Sequence, residues 1–177
     1  FRGTPMLVQI FIWHNVWSPL LVHQQNGLLI SGDLAVYLRQ NYAPLVAGVL
    51  ALSFNSGAYI TEVFRSGIKS IDRGQMEAAR SLGLSYGQAM RYIILPQTVR
   101  RMLGPLGNEF ITLLKDSSLL AVIAVPELAY AAKSAAGRFS TMEEPYYFIS
   151  LIYLLLTIVL AWFFARLEKK YNTDGNR

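Results

Sequence analysis

The sequence predicts an all-α fold, a polytopic bundle of membrane-spanning helices, and three observations carry that expectation. Of its 177 residues, 53% are hydrophobic and only 15% charged, which is apolar-rich and charge-poor beside ordinary soluble domains. Four stretches, 5–22, 42–64, 103–125 and 146–165, approach the roughly 20 mostly apolar residues needed to cross a hydrocarbon core of about 30 Å. Lysine and arginine are unevenly shared between the segments that join those stretches, and positive residues stay on the cytoplasmic side.

The first span, 5–22, is the weakest, because "WHNVWSP" interrupts it; Pro5 and Pro19 read as helix-boundary residues. An outward loop, 24–41, leads to the second span, 42–64. There Asn55, Tyr59 and Glu62 recur at i, i+4 and i+7 and so share a helix face. Ser53 and Gly57 form a small-x3-small pair that permits close helix approach, a pattern more often of packing than of function. A polar segment, 65–102, precedes the third span, and the fourth, "YYFISLIYLLLTIVLAWFFA", carries no charge and has aromatics at both ends.

Formal net charge is +5, but its distribution says more than its sum. Four spans put the start, the segment 65–102 and the tail after 165 on one side. That side holds twelve Lys/Arg: Arg2, Arg65, Lys69, Arg73, Arg80, Arg91, Arg100, Arg101, Arg166, Lys169, Lys170 and Arg177. The other side holds three, Arg39, Lys133 and Arg138, while Lys115 falls inside a span. The central segment is therefore expected in the cytoplasm, and the basic balance needs no nucleic acid to explain it. Cysteine is absent, so no disulfide framework or Cys metal site exists. No secretory leader is visible, as expected if internal helices direct insertion.

Within 65–102 the local signals predict two short helices and a hinge. Asp72 caps a helix with Gln75 three residues on, and "MEAARSL" follows in good helix formers to Gly83, a C-cap. Ser85 with Gln88 forms a second capping box, and Tyr86, Ala89, Met90, Ile93 and Ile94 then trace an apolar face before Pro96 closes the helix. Such a face can pack under the bundle, lie on the membrane surface or dock into a partner's cleft.

The order Glu77-Ala78-Ala79, three residues, Gly83, nine residues, Ile93, one residue, Leu95-Pro96 resembles the EAA loop of ABC importer permeases at every anchor position. "FRGTPMLVQIF", "NSGAYITEVFRSGI", "GQMEAARSLG" and "LLKDSSLLAVIAVPEL" are similar, in family order, to the polar amino acid uptake subfamily. The resemblance implies a type I transmembrane domain, a single permease domain over 1–177, that usually has five helices. The first helix is expected to be missing here, since the chain starts at Phe1 rather than at a methionine. It implies as partners a second permease subunit (homo- or heterodimer), two cytoplasmic ABC ATPases that carry ATP and Mg, and an extracytoplasmic amino acid binding protein. It also implies a multi-pass place in a bacterial inner membrane and inward transport of an amino acid of the glutamine, glutamate or basic class. Glu77, Ala78, Ala79, Gly83, Leu84, Ile93, Leu95 and Pro96 would form the ATPase-coupling element. No Walker A pattern occurs, so the chain is not itself the ATPase, and no cofactor is expected on it.

Gly83-Leu84-Ser85-Tyr86-Gly87 also spells G-x-S-x-G. A nucleophile there needs a strand-to-helix turn, a histidine base and an orienting carboxylate. Ser85 sits between helices, and His14 and His23 fall in or beyond the first span, so a helix cap is the better reading.

The third span places Glu109, Lys115 and Asp116 among apolar residues. Its eleven Leu, Ile, Val and Phe are worth roughly −3 to −7 kcal/mol, and three central charges cost about +7 to +10, less for Glu109 near an end. The helix is not expected to face lipid alone. Glu109, Thr112 and Asp116 share one face, with Asn108 close in angle to Lys115 on a neighbouring one. The stripe is either a network that fixes helix packing or part of a substrate route. A zwitterionic amino acid would need both charges there, and Asn55, Tyr59 and Glu62 could form the opposite wall. An ion-driven secondary carrier using Glu109, Lys115 and Asp116 is the alternative, and an intramembrane enzyme has little support from two histidines and no cysteine.

Overall fold

The computed structural model describes residues 3–139, 141 and 143–171. Arg2, Arg177 and Phe1, used above, lie outside them. The elements in chain order are α1 (Met6–Ile12), a π-turn (Trp13–Trp17), α2 (Ser18–Leu21), α3 (Asp33–Lys69), α4 (Arg73–Ser81) and α5 (Tyr86–Ala89). A second π-turn (Met90–Ile94), α6 (Leu95–Asp116), a 3-10 helix (Ser117–Ile123), α7 (Leu128–Phe139) and α8 (Glu143–Tyr171) complete the chain. No strand is present among the described residues; Val22 and Ile30 form an isolated parallel bridge. The fold is all-α, as the sequence predicts.

Among the described residues, two helices are each long and apolar enough to cross a membrane. α3 has 37 residues and α8 has 29 with a mean hydropathy of 2.5 over its best window; at 1.5 Å per residue they measure about 56 and 44 Å. α8 buries none of that window, and a helix that is apolar all round belongs in lipid or against other helices. The run Tyr86–Ile123 passes the same test only together with α7, which leaves it at a bend of 43°.

The continuity of that run corrects one expectation. Pro96 does not close the second helix: it is the second residue of α6, and the chain stays helical from Tyr86 to Asp116. The π-turn explains this. Leu95 N–H reaches back to Met90 O rather than to the carbonyl four residues before it, and the widened turn accommodates the proline ring and its missing donor. Pro19 follows the same rule, with Ser18 N–H bonded to Trp13 O one residue earlier. It therefore lies within a helical run, whereas Pro5 does cap α1.

The chain divides into two compact units. The first, Phe1–Ala58 with Thr112–Leu156, holds a core of Ile10, Trp13, Ala47, Ala51, Leu120, Ile123 and Val125. Trp13 stacks on Phe54 at 4.7 Å, and a Cβ at Gly48 would stand 2.8 Å from Leu120 Cδ2. The 3-10 helix ends on Ala124 at φ 62°. Glu127 then caps α7, its carboxylate accepting from Ala129 N–H at 2.8 Å, Tyr130 N–H at 2.6 Å and Tyr153 O–H at 2.9 Å.

The second unit, Tyr59–Ile111 with Thr157–Arg177, is built on close helix approaches at glycines. A Cβ at Gly67 would lie 2.7 Å from Met102 Cγ and 3.1 Å from Thr98 Cγ2, and one at Gly107 would lie 2.6 Å from Phe164 Cγ. Ser53 and Gly57, the pair expected to permit close approach, are not where this happens. Both are exposed, and a Cβ at Gly57 would meet nothing within 4 Å.

Candidate functional site

The segment carrying Glu77 to Pro96 lies wholly within the second unit. Asp72 is the N-cap of α4, Oδ1 accepting from Gly74 N–H at 2.6 Å. Gln75 does not complete a capping box: its Oε1 accepts from Gln97 Nε2 at 3.3 Å, which ties α4 to α6. Arg101 also donates to Ser70 O, holding α6 to the turn that follows α3.

α4 ends in a Schellman turn. Leu84 N–H bonds to Ala79 O at 3.2 Å and Gly83 N–H to Arg80 O at 3.0 Å, with Gly83 at φ +86°. That left-handed conformation is the one glycine enters without a Cβ penalty. Two residues on, Ser85 closes a full capping box: Gln88 N–H donates to Ser85 Oγ at 3.3 Å and Ser85 N–H to Gln88 Oε1 at 2.9 Å. The Ser85 hydroxyl is thus committed to a helix start, and no strand precedes it. The nucleophile pattern has no structural counterpart here.

These two motifs fix the angle between α4 and α5 and decide which side chains turn outward. Ala79, Ala89 and Ile94 are buried, at 1%, 0% and 4% exposure, with Met90 and Ile93 half-buried. The apolar face of the second helix therefore packs inward, except for Tyr86 at 59%. Glu77, Ala78, Leu95 and Pro96 are exposed. Leu84 is half-buried, and its neighbour Leu82, not singled out from the sequence, is exposed at 83%. Leu82 stands almost wholly in the open at the tip of an ordered turn. Its only sequence signal was its place beside the C-cap glycine.

The other candidates lie on α3 and α6. Asn55 accepts from Gln9 Nε2 at 3.3 Å within the first unit; on the same helix Tyr59 is half-buried and Glu62 exposed. On α6, Asn108, Thr112 and Lys115 are exposed while Glu109 and Asp116 are half-buried. The helix is unbroken from Leu95 to Asp116, so the face shared by Glu109, Thr112 and Asp116 holds. Among the described residues no group of three or more His, Cys, Asp or Glu could hold a metal.

The family model described as binding-protein-dependent transport system inner membrane component matches residues 1–173. The chain belongs to that family. It is a multi-pass permease component of the inner membrane and not itself an enzyme. It is 41% identical over 170 residues to a probable amino-acid ABC transporter permease of Bacillus subtilis (strain 168), covering 96% of this chain and 67% of that one. With the glutamine transport system permease of Escherichia coli (strain K12) it shares 39% over 171 residues, 96% of this chain and 70% of that one. A structure titled as an amino acid ABC transporter with histidines superposes with a TM-score of 0.75 at 37% identity, over 96% of this chain and 71% of that one.

Proposed function

We propose that this permease moves a polar amino acid of the glutamine, glutamate or basic class into the cytoplasm, driven by ATP hydrolysed on two separate ABC ATPases. A second permease subunit completes the route, and an extracytoplasmic binding protein delivers the cargo. The observation that carries this reading is the locked α4–α5 turn, which presents Glu77, Ala78 and Leu82 outward. Ala79, Gly83, Leu84, Ile93, Leu95 and Pro96 set its shape. Closure of the ATPases would push on this turn, and the long α3 and α6 that flank it would carry the motion to the membrane. The permease relatives support an amino acid as cargo. Because Leu82 is exposed at 83%, Leu82→Ser should leave the chain's own stability within about 0.5 kcal/mol. It should nonetheless weaken copurification of the ATPase, measured by the ratio of the two chains after affinity capture. An unchanged ratio would remove the docking role from this tip.

The substrate route is proposed to include Asn55, Tyr59 and Glu62 on α3 and Asn108, Glu109, Thr112, Lys115 and Asp116 on α6. Lys115 is exposed on this chain, and a cation on a membrane-crossing helix needs a water-filled cavity or a partner subunit. Lys115→Met should reduce assembly or transport. If the charges serve packing alone, neutralising Asp116 or Glu109 as well should restore both. Restored assembly with transport still absent, scored by size-exclusion profile and uptake of labelled amino acid, is the outcome expected of a route residue.

A further inference from the structure

Pro5 is the N-cap of α1 and Gln9 N–H bonds to Pro5 O at 3.2 Å, so the carbonyl of Thr4 lies outside the helical ladder. The Gln9 side chain turns back to it. Nε2 donates to Thr4 O at 3.0 Å, with Thr4 Oγ1 at 3.0 Å and Asn55 Oδ1 at 3.3 Å around the same nitrogen. Gln9 is 3% exposed, and an amide buried that deeply is held by its hydrogen bonds.

These bonds set a direction. A backbone carbonyl only accepts, so Thr4 O decides which end of the Gln9 amide turns toward it: the N–H2 end. That nitrogen only donates, so Asn55 on α3, itself half-buried, answers with Oδ1 and not with Nδ2. The orientation of one amide is thus passed to the next, and Asn55 is left with its two N–H donors on the edge away from Gln9. Every α-amino acid carries a carboxylate, which accepts on both oxygens; an amide turned the other way would meet it with a carbonyl. We infer that Gln9 is a positioning residue of the proposed route, holding the Asn55 amide so that it donates to the α-carboxylate of the cargo. The inference rests on the placing of Asn55 on that route. A bond that served packing alone would tie α1 to α3 and leave recognition of the carboxylate untouched, and that difference can be measured.

The test is equilibrium binding to the permease–ATPase complex in nanodiscs, without the binding protein. The probes are glutamine and arginine, each beside its α-carboxamide, glutaminamide or argininamide. The wild type should prefer an amino acid over its carboxamide. Asn55→Leu removes the donor without adding charge and should shrink that preference by about tenfold or more, as for a hydrogen bond to a charged group. Gln9→Met leaves the Asn55 amide to turn over, so that a fraction of it faces the cargo correctly, and should shrink the preference by about two- to fivefold. The double variant should be no worse than Asn55→Leu alone. A lower melting temperature in Gln9→Met with the preference unmoved would make the bond a packing tie and overturn the inference. Losses that multiply in the double variant would also overturn it, since Gln9 would then act on the cargo independently of Asn55. A wild type that binds amino acid and carboxamide equally overturns the carboxylate contact alone, whereas one that binds neither contradicts the amino acid route itself and the inference with it.

Discussion

Gly83→Val should abolish coupled transport while leaving membrane insertion intact. At φ +86° a side chain has open space around it, so the penalty is purely one of backbone, about 1 to 3 kcal/mol for a residue forced into that region. The β-branched side chain adds to it. The chain relieves the strain by unwinding the Schellman turn, which releases the bonds from Leu84 and Gly83 and re-aims α4 against α5. The membrane helices are untouched, so the variant should reach the membrane at near wild-type level, yet the transporter that contains it should turn over ATP without uptake or lose its ATPase. Ser85→Ala should cost only about 0.5 to 2 kcal/mol of capping and retain most transport. Loss of all activity in Ser85→Ala with Gly83→Val unaffected would contradict the assignment of both residues.

The second large effect is expected at Gly107. α6 and α8 approach so closely there that a Cβ would sit 2.6 Å from Phe164 Cγ and 2.8 Å from its Cβ, atoms near the root of the side chain that cannot swing away. Phe164 is further held by Phe110 at 5.7 Å and Phe163 at 5.5 Å between ring centroids. Gly107→Leu should therefore cost at least the 1 to 3 kcal/mol of an overpacked core. It should lower the melting temperature in detergent by several degrees and cut the monodisperse yield. Phe164→Ala in the same chain should recover part of that yield. A Gly107→Leu protein that is stable without the second change would mean that α6 and α8 do not meet at this residue.

Much of the coupling segment is written locally, which is why it can be read from the sequence. Asp72, Gly83 and the Ser85–Gln88 pair each act over two to five residues, and the structure shows each of these caps in place. The α-helical class and the α3 and α8 spans follow from composition over long windows, where averages are reliable. What escaped depends on more distant neighbours. Pro96 is a helix breaker by its own chemistry, and only the π-turn before it lets the helix continue. Gly104 and Gly107 in "LGPLGNE" lie in the span read at 103–125, but nothing in the sequence says that α8 packs against them there. Glu127 follows a proline, a helix-start signal, but its bond to Tyr153 spans 26 residues and no local pattern announces it. The polar stripe of α6 is legible as a face and not as a role, since an exposed Lys115 suits a route and a subunit interface equally.

The central claim is that the exposed α4–α5 turn meets the ATPase, and the absence of cysteine makes a direct measurement possible. A single cysteine at Ala78, exposed and adjacent to the buried Ala79, can be treated with a short thiol-to-amine cross-linker in membranes containing the whole transporter. The account predicts a cross-linked band composed of this permease and its ATPase, with a yield that changes when ATP is trapped. No band with the ATPase, or one whose partner is only a second copy of this chain, would contradict it.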